Sequence, residues 1–344
     1  MAEKRFAEKL LNWFAENKRA LPWRNTKDPY KIWLSEILLQ QTRVAQGLPY
    51  YEKFIRHYPT VKKLATAPEK EILRHWQGLG YYSRARNLHK CAKLITKQAG
   101  KFPETAEELK KLPGIGDYTA AAIASFAFNQ PSAVVDGNVF RVLSRIFAID
   151  LDIASPAGKK YFFELANKLI SHERPGDFNH ALMEYGAMHC TPRNPKCGDC
   201  IFSRQCKAFQ ADNVQFYPVK AKAKARKVRH FNYFVFRFGN KIWMQQRNGK
   251  DIWNGLHEFY LVESSRALSD KKATELSPVK VEILSTKKLK QILSHQEIEG
   301  KFFEVELNLV PAALSKQKGK FYSRKEIEKL AKPVLVNEYL QESQ

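Results

Sequence analysis

Two carboxylic acids stand inside apolar stretches and are the first candidates for chemistry. Glu36 lies in WLSEILLQQ, which otherwise resembles buried helix, and Asp136 lies in VVDGNV. An Asp before Gly is frequently only a turn residue or a helix cap, so Asp136 alone would indicate little. Together, a carboxyl kept protonated by desolvation and a second one that stays ionised can act as general acid and as stabiliser of a sugar cation. The pair predicts cleavage of a glycosidic bond.

Four of the five cysteines are clustered with the spacing C-x6-C-x2-C-x5-C: Cys190, Cys197, Cys200 and Cys206. Four thiolates in one short stretch can bind a single metal centre, and a reducing cytosol disfavours disulfides. Zinc also accepts four thiolates, but its sites usually contain two separated C-x2-C pairs, so the unequal spacing favours an iron–sulfur cluster. Cys91 lies in a helical stretch and is predicted to be a buried apolar residue.

The charge balance predicts a polyanionic partner. The chain has 58 Lys and Arg against 35 Asp and Glu, a net charge of +23. The basic excess occurs on both sides of Gln210, which favours nucleic acid running past two domains, although solubility or binding of acidic proteins would give the same composition. No window approaches the ~18 uninterrupted apolar residues of a membrane span. The charged first residues do not resemble a secretory signal, so we expect a cytoplasmic, nucleoid-associated protein.

The periodicity divides the chain into a helical part and a mixed part. Residues 1–210 show helical apolar spacing, with a tight Leu-Pro-Gly-Ile-Gly turn between two helices over about 106–128. Gly114 and Gly116 would let a phosphate approach backbone N–H groups there, although an ordinary turn gives the same pattern. Residues 211–229 read as an exposed basic linker, either solvated or lying along phosphates.

Residues 230–344 are predicted to form a separate α/β domain. Aromatic and β-branched residues alternate in 231–238, 241–247 and 302–307, and Gly239-Asn240 supplies a turn between the first two strands. Ser323 and Glu326 form a plausible capping box at the start of a late helix. We therefore expect a multidomain protein, with an all-α domain followed by a smaller α/β domain.

Several motifs together resemble the adenine DNA glycosylases of the MutY type, in the helix-hairpin-helix superfamily of endonuclease III. They are WLSEILLQQTRV, GLGYYSRARNLH, LPGIGDYTAAAI, VVDGNVFRVLSR and the cysteine array. The resemblance implies a helix-hairpin-helix core carrying a 4Fe-4S cluster, a Nudix-like C-terminal domain, and removal of adenine opposite 8-oxoguanine or guanine in double-stranded DNA. It assigns Glu36 as the acid and Asp136 as the stabilising carboxylate. Tyr118 and Asn138 would hydrogen-bond around them.

The resemblance also implies DNA contacts. Gln41 and Tyr81 match residues that wedge into the duplex, and His180 stands where the family often has Glu or Gln, so base binding could depend on its protonation. Ser294 and His295 lie in Leu293-Ser294-His295, which matches the lesion-reading loop except that Leu replaces Phe. The full set of DNA-binding candidates is Trp23, Arg24, Gln41, Thr42, Leu79, Tyr81, Gly114, Gly116, His180, Glu184, Ser294 and His295.

Tyr118 stands where endonuclease III has the lysine that forms a Schiff base, so we expect a monofunctional glycosylase. The chain lacks the clustered glutamates of a Nudix metal box, so we expect no pyrophosphatase activity. We expect a monomer. An endonuclease III-like pyrimidine glycosylase with lyase activity and a catalytically silent DNA-binding module are the alternatives.

Overall fold

The computed structural model describes residues 2–221, 225–249 and 251–342. It contains two compact units, each assembled from two segments of the chain. The helical unit comprises Met1–Thr66 and Asn87–Lys222, and the sheet unit comprises Ala67–Arg86 and Ala223–Gln344. The prediction of an all-α part followed by an α/β part is confirmed.

The first two-thirds of the chain contain twelve α-helices among the described residues. They are α1 (Ala2–Asn17), α2 (Pro29–Leu39), α3 (Val44–His57), α4 (Val61–Thr66), α5 (Glu69–Trp76), α6 (Tyr82–Lys97), α7 (Ala106–Leu109), α8 (Asp117–Phe128), α9 (Gly137–Phe147), α10 (Pro156–Leu169), α11 (Pro175–Met188) and α12 (Lys207–Gln210). None of the described helices combines the length and the apolarity that crossing a membrane requires.

Two central helices of the helical unit, α2 and α8, are buried almost all round. The α2 helix begins with Asp28 as N-cap, which accepts from the Tyr30 amide at 2.9 Å, and Pro29 occupies the first helical position. Eight consecutive residues of α8, 119–126, are buried, including a run of alanines that leaves little side-chain bulk. A helix without a polar face is stable only inside a core, so these two helices form the interior scaffold.

The second segment of the sheet unit contains seven described strands and four helices, in addition to α5 and the start of α6 in the first segment. The strands are β1 (Lys227–Phe238), β2 (Lys241–Gln246), β3 (His257–Glu258), β4 (Tyr260–Ser264), β5 (Ser285–Ile292), β6 (Gln296–Glu306) and β7 (Gly319–Ser323). The helices are α13 (Asp270–Leu276), α14 (Ala312–Ser315), α15 (Arg324–Glu328) and α16 (Val334–Glu342). The predicted capping box is present, because Glu326 accepts from the Ser323 amide at 2.8 Å and the Ser323 side chain caps α15.

Strand β1 is the centre of the sheet. It pairs antiparallel with β2 and β4 and parallel with β6, and β5 forms an antiparallel hairpin with β6. Six consecutive residues of β1, 231–236, are buried, as expected for a strand covered on both faces. Phe302 of β6 stacks on Tyr339 of α16 with ring centroids 4.4 Å apart, so this helix covers one face.

The two-unit division differs from the predicted boundaries of 1–210, 211–229 and 230–344. Residues 67–86 lie in the sheet unit. No local sequence pattern indicated this, because their position depends on packing against residues far away in the chain. The predicted linker is packed at both ends. Its start joins the helical unit, where Ile153 donates to the Val219 carbonyl at 3.1 Å, and its last residues belong to β1. Residues 222–224 of the predicted linker lie outside the described residues.

Candidate active site

Glu36 is buried in α2, with 6% of its surface exposed. Burial is the largest effect on its carboxyl and raises the pKa of Glu36 to about 7. A hydrogen bond from the Tyr118 hydroxyl opposes this rise, and the nearby charge of Asp136 adds to it. The carboxyl can therefore hold a proton near neutral pH, which is the property a general acid needs.

Asp136 is the N-cap of α9 and is held by three hydrogen bonds. Its Oδ1 accepts from the backbone N–H groups of Asn138 and Val139, both at 2.8 Å, and its Oδ2 accepts from the Asn138 amide at 2.8 Å. Burial raises the pKa of Asp136, while these donors and the Arg141 charge limit the rise. All of these contacts favour the ionised form of Asp136 and oppose the effect of burial.

Arg141, which the sequence did not single out, fixes the partner of Asp136. Its Nη2 donates to Asn138 Oδ1 at 2.9 Å and to the Gly186 carbonyl at 2.6 Å, and its Nε donates to the Cys190 carbonyl at 2.8 Å. Gly186 has to be a glycine, because a Cβ there would come within 2.6 Å of Asn138 Cβ. The only sequence signal was an arginine on the apolar face of α9.

The residues predicted to reach the base are held by an ion-pair network. Arg24 donates to both carboxylate oxygens of Glu184, at 2.9 and 2.7 Å, and Arg19 Nε donates to Glu184 Oε1 at 2.8 Å. Glu184 is 1% exposed, and these arginines lower its pKa to about 2 despite burial. Trp23 is also buried. The structure thus places Glu184 as a support for Arg24 rather than on an open surface.

His180 lies between aromatic rings. Its imidazole stacks on the Phe126 ring with centroids 3.8 Å apart. The Phe14 ring is nearly parallel to the imidazole, with a centroid distance of 6.5 Å. Burial and the charges of Arg24 and Lys27 lower the pKa of His180 to about 3. The imidazole is therefore neutral near pH 7, and the structure does not support the expected dependence of base binding on His180 protonation.

Two predicted wedge residues have left-handed backbones, one in each unit. Gln41 has φ of 56° and is exposed, and half-buried Thr42 follows it. Tyr81 has φ of 46° and is 41% exposed. Bulky residues rarely adopt this conformation, and such strain concentrates at functional sites. Leu79, by contrast, is buried at 6%, so its side chain is core and not a surface wedge.

The lesion-reading candidates lie together within the sheet unit. The hydroxyls of Tyr81 and Ser294 are hydrogen-bonded, and Ser294 Oγ lies 3.2 Å from His295 Nδ1. The guanidinium of Arg84 lies 5.7 Å from the Tyr81 ring centroid and 5.1 Å from that of Trp76, which orients the tyrosine by cation–π contact. Leu293 is half-buried at the start of this loop.

The two glycines of the α7–α8 turn have different structural roles. Gly114 has φ of 79°, and a Cβ there would come within 2.7 Å of Asn87 Cβ. Gly116 is the N-cap of α8, and a Cβ there would have no neighbour within 4 Å. The first glycine is therefore required by the fold, whereas the second leaves open space before the first N–H groups of α8, where an anion is favoured.

Substituting these glycines should separate folding from DNA binding. We expect Gly114→Ala to lower the free energy of unfolding by roughly 1–3 kcal/mol, because of backbone strain and the clash with Asn87. Gly116→Ala should change stability little but weaken binding of undamaged duplex by several-fold. Thermal melts and fluorescence-anisotropy titrations would measure both effects. Equal loss of stability in the two variants would contradict the assignment.

The four clustered thiols line one cavity, together with Arg145, Tyr185 and His189. Arg145 donates to Cys190 Sγ at 3.4 Å and to the Thr191 carbonyl at 2.7 Å, and the Tyr185 hydroxyl lies 2.9 Å from Cys200 Sγ. Cationic and hydroxyl donors beside thiols suit thiolate ligands. No three His, Cys, Asp or Glu side chains within residues 2–221, 225–249 and 251–342 form a site for one metal ion.

The facing of all four thiols onto one cavity fits an iron–sulfur cluster. Cys190, Cys197, Cys200 and Cys206 would be its ligands, and the cluster would fix this loop and contribute no proton transfer. Buried Cys91 lies apart from the array, in α6, as predicted.

Three segments of the chain match models of known protein families. Residues 34–170 match the family model described as HhH-GPD superfamily base excision DNA repair protein, residues 190–206 match the iron-sulfur binding domain of endonuclease III, and residues 232–342 match a NUDIX domain. The match over residues 190–206 covers all four clustered cysteines and supports an iron–sulfur cluster there.

The similar curated proteins are named adenine DNA glycosylase, and similar solved structures share the fold of the helical part. The adenine DNA glycosylase of Mus musculus is 45% identical over 60% of this chain, and the match spans 42% of that protein. The adenine DNA glycosylase of Buchnera aphidicola subsp. Baizongia pistaciae is 38% identical over 74% of this chain and 73% of that protein.

The structure of a thermostable thymine-DNA glycosylase is 33% identical, with a TM-score of 0.56 over 61% of this chain and 97% of that one. An endonuclease III–DNA complex, 23% identical with a TM-score of 0.52 over 61% of this chain and 95% of that one, shares the fold. Because this chain shares 38% identity with the Buchnera aphidicola enzyme over more than two thirds of that protein, it belongs to the adenine DNA glycosylases of the helix-hairpin-helix superfamily.

Proposed function

We propose that this protein hydrolyses the N-glycosidic bond of adenine in duplex DNA where adenine stands opposite 8-oxoguanine or guanine. The observation that carries the proposal is the pairing of Glu36, whose pKa burial raises to about 7, with an Asp136 held by donors that favour its charge. The relatives named adenine DNA glycosylase support adenine as the base. We propose further that it acts as a monomer on cytoplasmic, nucleoid-associated DNA.

The chemistry follows from the two carboxyls. Protonated Glu36 would donate its proton to N7 of a flipped adenine, which makes the base a leaving group. Asp136 would stabilise the positive charge that develops on the sugar before water attacks. Tyr118 orients the acid through its hydroxyl, and Asn138 orients the aspartate. Because position 118 holds no amine, no Schiff base forms there and strand cleavage should be absent.

We propose DNA contacts in both units. In the helical unit, Gln41 and Thr42 would contact the opened duplex, and Arg24, supported by Glu184, and His180 would bind the base. Tyr81, Ser294 and His295 of the sheet unit would recognise the opposing lesion. Tyr81 and Ser294 already share a hydrogen bond, so a lesion that binds Ser294 would act on the wedge residue as well.

The test is single-turnover release of base from duplexes that differ at one pair. Adenine opposite 8-oxoguanine should be released fastest, adenine opposite guanine more slowly, and adenine opposite thymine not at all. A thymine–guanine duplex is included because of the likeness to a thymine-DNA glycosylase structure. Thymine release without adenine release would overturn the choice of base, and borohydride trapping of a protein–DNA adduct through a lysine would overturn the monofunctional assignment.

The pH profile of this release should follow Glu36. The carboxyl must be protonated to act as an acid, and its pKa is about 7, so the rate should fall about tenfold per unit well above that pH. Because Asp136 must be ionised and burial raises its pKa, the rate should also fall on the acid side. His180, with a pKa of about 3, should not contribute a limb between pH 5 and 9. Rate–pH curves of the wild type and of His180→Gln would show it. An alkaline limb that disappears in His180→Gln would contradict this assignment.

A further inference from the structure

The sheet unit contains a polar cavity of about 600 Å³ that the proposed reaction does not use. Its walls come from the β1–β2 turn, α15, α16 and the end of α5. Three cationic side chains line it, Arg237, Arg324 and Lys332, and Glu328 is the carboxylate among the described lining residues. The side-chain amides of Gln77, Asn240, Asn337 and Gln341 complete the polar lining. This volume is sufficient for a small-molecule ligand.

Arg237 carries an unsatisfied donor at this cavity. Its Nε is buried and has no hydrogen-bond partner among the residues that the structure describes. Its Nη2 lies 3.6 Å from Glu304, whose carboxylate already accepts from the Tyr339 hydroxyl. A buried donor of a charged group that lacks a partner costs free energy, so this guanidinium stands at the cavity wall with part of its hydrogen-bonding capacity unused.

Lys332 adds buried positive charge. It is 3% exposed, and its ammonium donates to the carbonyls of Ile327 at 2.5 Å and Leu330 at 2.8 Å, which uses two of its three N–H groups. Burial, followed by the charge of Arg74, lowers the pKa of Lys332 to about 8. Arg74 therefore destabilises the charged form of Lys332. An anion bound in the cavity would reduce the repulsion between these positive charges.

The cavity is remote from the lesion-reading loop. The Lys227 amide donates to the His295 carbonyl at 3.3 Å, so the loop lies at the start of β1. Arg237 lies at the other end of the same strand, ten residues later, which at a strand rise of about 3.3 Å per residue is roughly 33 Å away. The cations of this cavity are therefore not part of the Ser294 site.

We propose that this cavity binds a phosphate group through Arg237, Arg324 and Lys332. Guanidinium groups match phosphate oxygens with paired donors, and the ammonium adds a point charge. No aromatic ring stands among the described lining residues, so the cavity offers no stacking surface for a nucleobase. The phosphate has two sources in this setting, a free anion such as pyrophosphate or the phosphodiester backbone of DNA.

The experiment titrates the full protein with pyrophosphate and follows thermal stability, with sodium chloride at matched ionic strength as the reference. We expect pyrophosphate to stabilise the wild type beyond the salt effect. Arg237→Gln and Arg324→Gln should each weaken its apparent affinity about tenfold, because each removes charge-assisted hydrogen bonds. Lys271→Gln, an exposed lysine of α13, is the matched control and should bind as the wild type. Lys332 is left unchanged, because its ammonium binds carbonyls that the fold needs.

Competition with undamaged duplex distinguishes the two sources. If the site holds the DNA backbone, duplex displaces pyrophosphate, and each arginine variant reduces the salt dependence of DNA binding by about one phosphate contact. If it holds a free anion, duplex does not compete and the salt dependence is unchanged. The proposal is overturned if pyrophosphate acts no more strongly than sodium chloride, or if the arginine variants and Lys271→Gln respond alike. Single-turnover adenine release should be unchanged in both arginine variants, which confirms that they are folded.

Discussion

Glu36→Gln is expected to reduce single-turnover adenine release by about 10²- to 10⁴-fold, the usual contribution of a positioned general acid. Glutamine has nearly the same shape and can still accept the hydrogen bond from the Tyr118 hydroxyl, but it has no proton to donate to the base. Because Glu36 is 6% exposed, water has little access to replace it as the acid. The measurement uses duplex with adenine opposite 8-oxoguanine, with enzyme in excess.

Although Glu36→Gln should lose activity, it should gain stability at alkaline pH. The folded-state pKa of Glu36 is raised to about 7, so the folded protein binds a proton that the unfolded chain has released, and stability falls as the pH rises from the ordinary range of a glutamate through 7. Glutamine removes that penalty. Glu36→Gln should therefore melt at a higher temperature than the wild type at pH 8 and bind the duplex with unchanged affinity. Undiminished adenine release from this stable variant would show that another group supplies the proton.

Local patterns were sufficient for many of the elements and for the burial of Glu36. Desolvation follows directly from a carboxylate in an otherwise apolar helix, and the observed burial of Glu36 confirms that expectation. The alternation in 231–238 and the Gly239-Asn240 turn correspond to β1 and the start of β2. These features depend on contacts within a few residues, which is why sequence alone could predict them.

The features that the sequence did not predict have a common cause, which is packing between distant parts of the chain. Residues 67–86 join the sheet unit through contacts such as the Tyr82 hydroxyl on the Lys332 carbonyl, 250 residues away. Glu184 was expected to contact DNA, yet arginines from 165 and 160 residues earlier enclose it. Leu79, another predicted DNA contact, is buried. No periodicity or spacing within one segment carries information about such partners.

Asp136→Asn is expected to lower adenine release by on the order of 10³-fold, comparable with the loss of a main electrostatic stabiliser. The substitution should preserve the fold, because asparagine is as good an N-cap as aspartate and its amide oxygen can still accept from the Asn138 and Val139 N–H groups. What it removes is the negative charge that would face the sugar cation. The Asn138 side-chain amide loses its Oδ2 acceptor, which should cost about 1 kcal/mol of stability. DNA affinity should remain near that of the wild type.

The residual activity of Asp136→Asn provides a second, independent readout. In the wild type the charge of Asp136 helps to raise the pKa of Glu36, because two neighbouring carboxylates repel each other when both are ionised. Removing that charge should lower the pKa of Glu36, so the alkaline limb of the rate–pH profile should move toward lower pH. A purely structural role for Asp136 would reduce the rate and leave the limb where it is. A shift of the limb together with an intact fold would place the aspartate beside the acid as an electrostatic partner, and an unmoved limb would reduce it to a helix cap.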